Sequence, residues 1–216
     1  MFYDAIANDH GLPHDPFKAL VAPRPIGWIS SLTPAGTVNL APYSFFNAIG
    51  SGPAYVMFSS GGYKHSVANI EATGEFVCNL ATWDLREQMN LTSAAVGADI
   101  DEMKLAGLTP APSRLVKPPR VAETPVALEC VYHQTIQLPS NDEDEPNIVI
   151  IGKVIGIHID DAYIGANGLV NTAAMKPIAR CGYMEYAVVT EMFEMRRPSP
   201  AQALAQAAAR AGVAAD

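Results

Sequence analysis

The chain has 216 residues, of which 17% are charged and 49% are hydrophobic, and its formal net charge is −8. Soluble domains usually carry about 25% charged residues, and here the deficit is local, because residues 25–63 contain no Asp, Glu, Lys or Arg. An acidic chain without a basic run argues against nucleic-acid binding. The Pro and Gly residues that interrupt the uncharged stretch argue against a membrane span. The length predicts one large domain, or two small ones, with a sizeable core.

The cysteines and the first residues bear on the cell compartment. Cys78, Cys130 and Cys181 are far apart in the sequence, so they form neither a CxxC metal motif nor a disulfide framework. We expect three reduced thiols buried as small hydrophobic side chains in a cytoplasmic protein. The N-terminal residues lack the basic and apolar regions of a secretory signal peptide.

Short β-strand signals dominate the chain from residue 26 onward. Runs rich in Ile, Val, Phe and Trp, the first two joined by a Pro-Gly turn at Thr33–Gly36, predict strands at Ile26–Leu32, Val38–Leu40, Ala54–Ser59, Glu75–Leu80, Ala127–Leu138, Ile148–Ile159 and Tyr186–Met195. Helical spacing predicts short helices at Ser66–Ala72, Asp84–Leu91 and Ile100–Ala106, the second with Asp84 as its N-cap. Because strands and helices do not alternate regularly, an antiparallel barrel with inserted helices fits better than a parallel βαβ sheet.

Three further segments are predicted to lie outside the strands of the barrel. Thr109–Pro125 is Pro-rich and reads as a connector, and the four consecutive acids Asp142–Glu145 are typical of a solvated hairpin loop. Residues 199–216 form an Ala-rich stretch that predicts a helical tail behind a domain of residues 1–198.

The common catalytic signatures are absent from the sequence. There is no GxGxxG after a strand and no GxxxxGK[ST], HExxH or GxSxG motif. His10 and His14 stand four residues apart, but Gly11 and Pro13 oppose the helix that would pair them, so we predict no metal site. An enzyme without its own acid, base and nucleophile can delegate the chemistry to a cofactor.

Two segments instead favour a ligand site. Residues 27–31 and 39–47 combine hydroxyl and amide side chains with aromatic rings and no formal charge, which suits a planar polar heterocycle. In residues 59–70 a Gly-Gly pair leads into a helix start with Lys64 and Ser66, which suits an anion. The alternatives are that Tyr43, Phe45 and Phe46 belong to the core, and that Lys64 and Ser66 are a surface lysine and an N-cap serine.

An ordered series of motifs, which includes both segments, resembles the flavin reductase-like family of FMN-binding split-barrel proteins. The series is PRPIGWISSLTPAGTVNLAPYSFFNAI, KHSVANIEATGEFVCNL, QMNLTSAA, DEMKLAGLT, ALEC, IVIIGKVIGIHI, IARCGYMEYAV and MRRP. It covers roughly residues 15–198 in the order of the family. The resemblance implies a mainly β fold with some α, namely an antiparallel Greek-key split β-barrel with short helices.

The resemblance also implies where FMN would bind. The phosphate would be held by Ser30, Ser31, Lys64 and Ser66. The isoalloxazine ring would lie against Asn39, Leu40, Ala41, Pro42, Tyr43, Ser44 and Asn47. The ribityl chain would be bordered by Ser59 and Ser60. The far side of the site, or a dimer contact, would include Arg180 and Tyr183. The family often has Lys-Asp-Thr where this chain has Lys64-His65-Ser66, so His65 replaces an acid at the rim of the site.

The function implied is that of an oxidoreductase in which flavin carries the chemistry and no catalytic side chain is required. Family members form homodimers and commonly pass reducing equivalents from NADH or NADPH to FMN, often to supply a partner monooxygenase. Two alternatives remain open, an FMN-binding electron carrier and a split-barrel flavoenzyme that acts on its own small organic substrate.

Overall fold

The computed structural model describes residues 1–142 and 145–210, so Glu143 and Asp144 of the predicted acidic loop and residues 211–216 of the predicted tail lie outside the described residues. The strands are β1 (Arg24–Pro25), β2 (Gly27–Leu32), β3 (Val38–Tyr43), β4 (Phe46–Ser51), β5 (Ala54–Gly61), β6 (Glu75–Leu80), β7 (Pro110–Ala111), β8 (Arg120–Val121), β9 (Val126–Leu138), β10 (Asn147–Ile159), β11 (Ile178–Arg180) and β12 (Tyr186–Val188). The α-helices are α1 (Phe17–Leu20), α2 (His65–Thr73), α3 (Arg86–Leu91), α4 (Glu102–Leu105), α5 (Thr172–Met175) and α6 (Pro200–Arg210).

A seven-stranded sheet forms the body of the molecule, in the order β3-β2-β6-β9-β10-β5-β4. Its neighbouring strands are all antiparallel, as the sequence predicts. A second sheet, β1-β11-β12, joins the N-terminal segment to the hairpin near residue 183. Chain segments far apart in the sequence therefore meet at residues 24–25 and 178–180.

Strand β2, which lies in the uncharged stretch, is buried because it is covered on both faces. Ile29 packs in a core with Phe58, Phe76 and residues of α2, whereas the adjacent Trp28 packs in a second core against residues of α3 and α4. Consecutive residues of a strand point to opposite faces of the sheet, so a doubly covered strand tolerates no charge on either face. Trp28 is fully buried, and its indole N–H donates to the Thr92 hydroxyl at 2.9 Å.

Several predicted boundaries differ from the structure. Strand β3 runs on to Tyr43 instead of ending at Leu40. The sequence does not predict β4, because five of its six residues are exposed and no alternation of buried and exposed side chains marks it as a strand. The predicted strand Tyr186–Met195 ends at Val188. Asp84 is not an N-cap, since α3 begins at Arg86 after Leu85, and Asp84 instead lies 3.7 Å from the Lys176 ammonium.

The C-terminal residues leave the sheets as an exposed segment. Helix α6 begins with a reciprocal cap, in which the Ser199 N–H donates to the Gln202 side chain and the Gln202 N–H donates to the Ser199 hydroxyl. This helix lies in the predicted tail, and the division of the chain at residue 198 stays a prediction. Within the described residues, no helix combines the length and the apolar character that crossing a membrane requires.

Candidate functional site

A cleft of about 430 Å³ opens along the outer edge of β3, where α2 begins. We call it the helix cleft. Of the predicted site residues it is lined by Asn39, Ala41, Pro42, Tyr43, Lys64 and Ser66. Residues of β3 from the first predicted segment and residues at the helix start of the second therefore lie in the same cleft.

The N terminus of α2 opens into this cleft without a side-chain cap. Lys64 is the N-cap residue, has extended backbone angles, and makes no capping hydrogen bond from its side chain. Gly62 has a φ of +82°, which glycine adopts without strain, and it turns the chain from β5 into the helix. The first N–H groups of a helix have no intrahelical acceptor, so the cleft presents free donors beside a lysine ammonium group.

A buried amide and hydroxyl network fixes the floor of the cleft. The Asn39 amide donates to the Ser66 hydroxyl at 2.9 Å and lies 3.5 Å from the Ser31 hydroxyl, which also accepts from Asn69 of α2 at 3.3 Å. These hydrogen bonds join β2 and β3 to α2. Ser31 and Ser66 therefore hold the helix in place, and their buried hydroxyls already have partners.

Two buried titratable side chains of the cleft have raised pKa values. Burial raises the pKa of the Tyr43 phenol, although hydrogen bonds with Ser66 and Ser60 oppose this effect. Burial also raises the pKa of the Glu102 carboxyl, opposed by the Leu40 N–H, which donates to it at 3.0 Å. The Leu40 N–H points out of the edge strand, so Glu102 satisfies a donor that the sheet leaves unpaired.

A second cleft, of about 640 Å³, lies between the N-terminal segment and the β11–β12 hairpin, and we call it the hairpin cleft. Arg180, Tyr183, Ser44 and Pro42 of the predicted site line it. Pro42 and Ser93 line both clefts, so the two are contiguous.

The remaining predicted residues line neither cleft. Ser30 faces the opposite side of β2 from Ser31, and its buried hydroxyl donates to the Pro119 carbonyl at 2.6 Å. Adjacent residues of one strand cannot both face the same ligand, so we leave Ser30 out of the proposed site. The side chain of Leu40 packs in the core. The Asn47 amide oxygen accepts from the Ala48 N–H. The Ser59 N–H donates to the Phe45 carbonyl, and the Ser60 hydroxyl donates to the Gly62 carbonyl.

Sequence reasoning missed one wall of each cleft. Residues 92–96, Glu102 and Tyr63 line the helix cleft, and Lys18 and Arg24 line the hairpin cleft. The motifs QMNLTSAA and DEMKLAGLT contain much of the missed wall. No local pattern shows that these segments fold back over β3, because the contacts are long-range.

Comparisons with known proteins agree with this architecture. The family model for the flavin reductase like domain matches residues 20–175. The chain belongs to the flavin reductase-like family. A protein of Aquifex aeolicus (strain VF5) is 36% identical over 172 residues, which cover 77% of this chain and 85% of that protein.

Two solved structures show the same fold. Nitrilotriacetate monooxygenase component B from Bacillus cereus has a TM-score of 0.81 at 28% identity and covers 90% of this chain and 98% of its own. A putative flavin reductase with a split barrel domain from Shewanella frigidimarina has a TM-score of 0.80 at 20% identity, with coverages of 92% and 100%. This member of the flavin reductase-like family is therefore an antiparallel split barrel, as the sequence predicts. Within the described residues, no group of three or more His, Cys, Asp or Glu side chains is placed to hold a metal ion.

Proposed function

We propose that this protein is an FMN-binding oxidoreductase that accepts reducing equivalents from NADH or NADPH and supplies reduced flavin to a partner monooxygenase. The observation that carries the proposal is the helix cleft, in which the uncapped start of α2 and Lys64 lie against the uncharged edge of β3. Membership of the flavin reductase-like family supports a flavin as the ligand.

The phosphate of FMN fits the start of α2. A dianionic phosphate needs several N–H donors and a positive charge, and a helix N terminus supplies both donors and a favourable dipole. The N–H groups of His65 and Ser66 would hold the phosphate oxygens, and Lys64 would add a point charge. The Ser31 and Ser66 hydroxyls accept the amide N–H groups of Asn69 and Asn39 and so fix the position of the helix. Ser66 lines the cleft and would also donate its own O–H to the phosphate.

The ring of FMN fits the edge of β3. Alternate residues of an edge strand direct both backbone groups away from the sheet, so the outward face at Leu40 and Pro42 consists of carbonyl acceptors. Pro42 has no N–H to leave unpaired, and the Leu40 N–H is held by Glu102. Carbonyl acceptors match an imide N–H, and the absence of charged side chains on β3 itself suits a neutral aromatic ring.

FMN, when bound, supplies the ability to accept a hydride from a nicotinamide. The chain would bind and orient this group and exclude water from it, which requires no acid or base in the site. The hairpin cleft adjoins the helix cleft at Pro42 and Ser93, so a second molecule can approach from that side.

Homodimerisation and a cytoplasmic location belong to the same proposal. Strand β4 is an edge strand that carries no charge, and Ile49 on it is 51% exposed. Natural proteins usually protect such edges with charge or with a covering partner. A second copy of the chain would cover β4.

Replacing Lys64 with Ala tests the proposal. Hydrogen bonds to charged groups contribute about 1.5–3 kcal/mol, so we expect the affinity for FMN to fall roughly 10- to 100-fold. Quenching of flavin fluorescence during titration of the purified protein measures this affinity.

The matched control is Lys153→Ala, which also removes one lysine side chain. Lys153 is exposed on β10 and lines neither cleft. It should leave the FMN affinity as in the wild type. An unchanged affinity in Lys64→Ala would refute the placement of the phosphate at α2.

A further inference from the structure

The start of α2 has a lysine and a histidine at the end of the helix where a positive charge is least favourable. Lys64 is the N-cap residue and His65 is the first residue of the helix, and its first turn contains no acid. The helix dipole places partial positive charge at this end, so an anion there stabilises the helix and a cation destabilises it. The sequence of the first turn supplies no anion of its own, so an anionic ligand in the helix cleft would compensate.

The side chain of His65 has no role in the phosphate contact proposed above, which uses only its backbone N–H. His65 is exposed and lines the helix cleft together with Lys64 and Ser66. Imidazole is the side chain whose unperturbed charge changes between about pH 5 and pH 8. The ring can therefore add a positive charge to the cleft under conditions in which the charge of the lysine stays constant.

The helix cleft also contains an acid that senses the charge of His65. Glu102, at the start of α4, lines the cleft and is only 5% exposed, and its carboxylate accepts the Leu40 N–H at 3.0 Å. Burial raises the pKa of this carboxyl, and the charge of Asp101 acts in the same direction, whereas the charge of His65 lowers it. The electrostatic interaction places His65 and Glu102 near each other within one cavity.

Two phenols complete the set of titratable groups in the helix cleft. Tyr43 from β3 and Tyr63 from the segment before α2 line the cleft. Burial raises the pKa of Tyr43, and the hydrogen bond to the Glu71 carboxylate raises the pKa of Tyr63. Both phenols therefore stay neutral at and above pH 7, and they do not change the charge of the cleft there.

The formal charge of the helix cleft thus depends on His65. Lys64 contributes one positive charge and Glu102 one negative charge, so these two cancel while His65 is neutral. Protonation of His65 gives the cleft one net positive charge. A phosphate monoester carries close to two negative charges at pH 7, so it favours the protonated state of the ring.

We propose that His65 makes FMN binding dependent on pH, because its protonated ring adds a positive charge beside the phosphate and so favours FMN over riboflavin. The inference rests on the proposed function, which puts the FMN phosphate at the start of α2. Linkage is reciprocal, so the protein takes up protons when it binds FMN, and its affinity for FMN rises as the pH falls. Protonation of Glu102 would act with the same sign, and substitution of His65 separates the two groups.

Titration of the flavin-free protein with FMN and with riboflavin, followed by quenching of flavin fluorescence between pH 6.5 and pH 8.5, tests the inference. The second pKa of a phosphate monoester is about 6, so FMN stays largely dianionic over this range. We expect the wild type to bind FMN about fivefold more tightly at pH 6.5 than at pH 8.5, which is the upper range for an exposed charge pair. Riboflavin lacks the phosphate, so its affinity should change less than about twofold.

Substitutions of His65 keep the backbone N–H and change only the ring. His65→Asn should remove the pH dependence and leave the FMN affinity at pH 6.5 close to the wild-type value at pH 8.5. His65→Lys keeps a positive charge throughout, so it should bind FMN at pH 8.5 about as tightly as the wild type does at pH 6.5. The control is His133→Asn, at an exposed position on β9 that lines neither cleft, and it should keep the wild-type profile.

The outcomes separate this inference from the proposed function. FMN affinity that is constant across the pH range, or a pH dependence that persists in His65→Asn, overturns the inference and leaves the flavin proposal intact. The same pH dependence for riboflavin as for FMN also overturns it, because the phosphate would then play no part. A protein that binds neither flavin at any pH contradicts the proposed function, and the inference falls with it.

Discussion

At the scale of single residues, Glu129 ties the Pro-rich connector to the barrel. Its carboxylate is fully buried and accepts the N–H groups of Arg114, Leu115 and Val116 at 2.8, 2.6 and 3.1 Å. His158 Nε2 lies 2.5 Å from the same carboxylate. Burial alone would raise the pKa of Glu129, but these hydrogen bonds outweigh it and lower the pKa.

Replacing Glu129 with Gln should therefore destabilise the protein by about 1.5–3 kcal/mol at pH 7, because some of the buried N–H donors lose their acceptor. The folded-state pKa lies below the unfolded one, so this stabilisation is present above the ordinary pKa range of Glu and is lost as the pH falls through the folded value. Urea unfolding between pH 7 and about pH 3 should show a steeper loss of stability in the wild type than in Glu129→Gln. Parallel curves would contradict this role, and Glu191→Gln, at an exposed position, serves as the control.

The same scale explains which of the predicted site residues lie together in the structure and which do not. Lys64 is found at the start of α2 because the Gly-Gly pair and the helix that follows are local signals. Ser30 and Ser31 are the same residue type in adjacent positions, but they point to opposite faces of β2. The Ser30 hydroxyl donates to the Pro119 carbonyl, whereas the Ser31 hydroxyl accepts from Asn69. Glu102 and Arg24 have no local signal, because their roles arise only when distant segments meet.

At the scale of elements, strands with apolar runs are predictable and exposed edges are not. Strands β2, β6, β9 and β10 lie close to their predicted bounds, because their runs of apolar, β-branched and aromatic residues are typical of strands. Strand β4 contains Asn and Gly and is mostly exposed, so it is stabilised by pairing with β5 rather than by its own sequence. Short or exposed strands of this kind depend on tertiary context.

Gly152 shows why β10 can cross so close to the core. The strand has a register shift between Ile151 and Gly152, and a Cβ at this glycine would overlap the ring of Phe76, a fully buried side chain. Gly152→Ala should therefore destabilise the protein by about 1–3 kcal/mol in urea unfolding. Gly61→Ala is the matched control, since a Cβ there would meet no atom within 4 Å. Equal stability of the two variants would show that the Phe76 ring moves aside without cost.

At the scale of the whole molecule, the uncharged and charged parts of the sequence have different places in the structure. Residues 25–63 supply a doubly covered strand, an uncharged cleft edge and an exposed edge strand, and the first of these cannot carry a charge on either face. The first charged side chain after this stretch is Lys64, at the proposed phosphate site. The hairpin cleft adds a separate cationic surface beside it.

Anaerobic mixing of the FMN-loaded protein with NADH or NADPH tests the central claim most directly. The flavin absorption band in the visible spectrum reports the oxidation state of the bound group. An NAD(P)H-dependent flavin oxidoreductase should lose this band rapidly with at least one of the two nucleotides and no other protein present. A band that persists with both, and disappears only after a separate redox protein is added, would contradict the claim and identify an electron carrier.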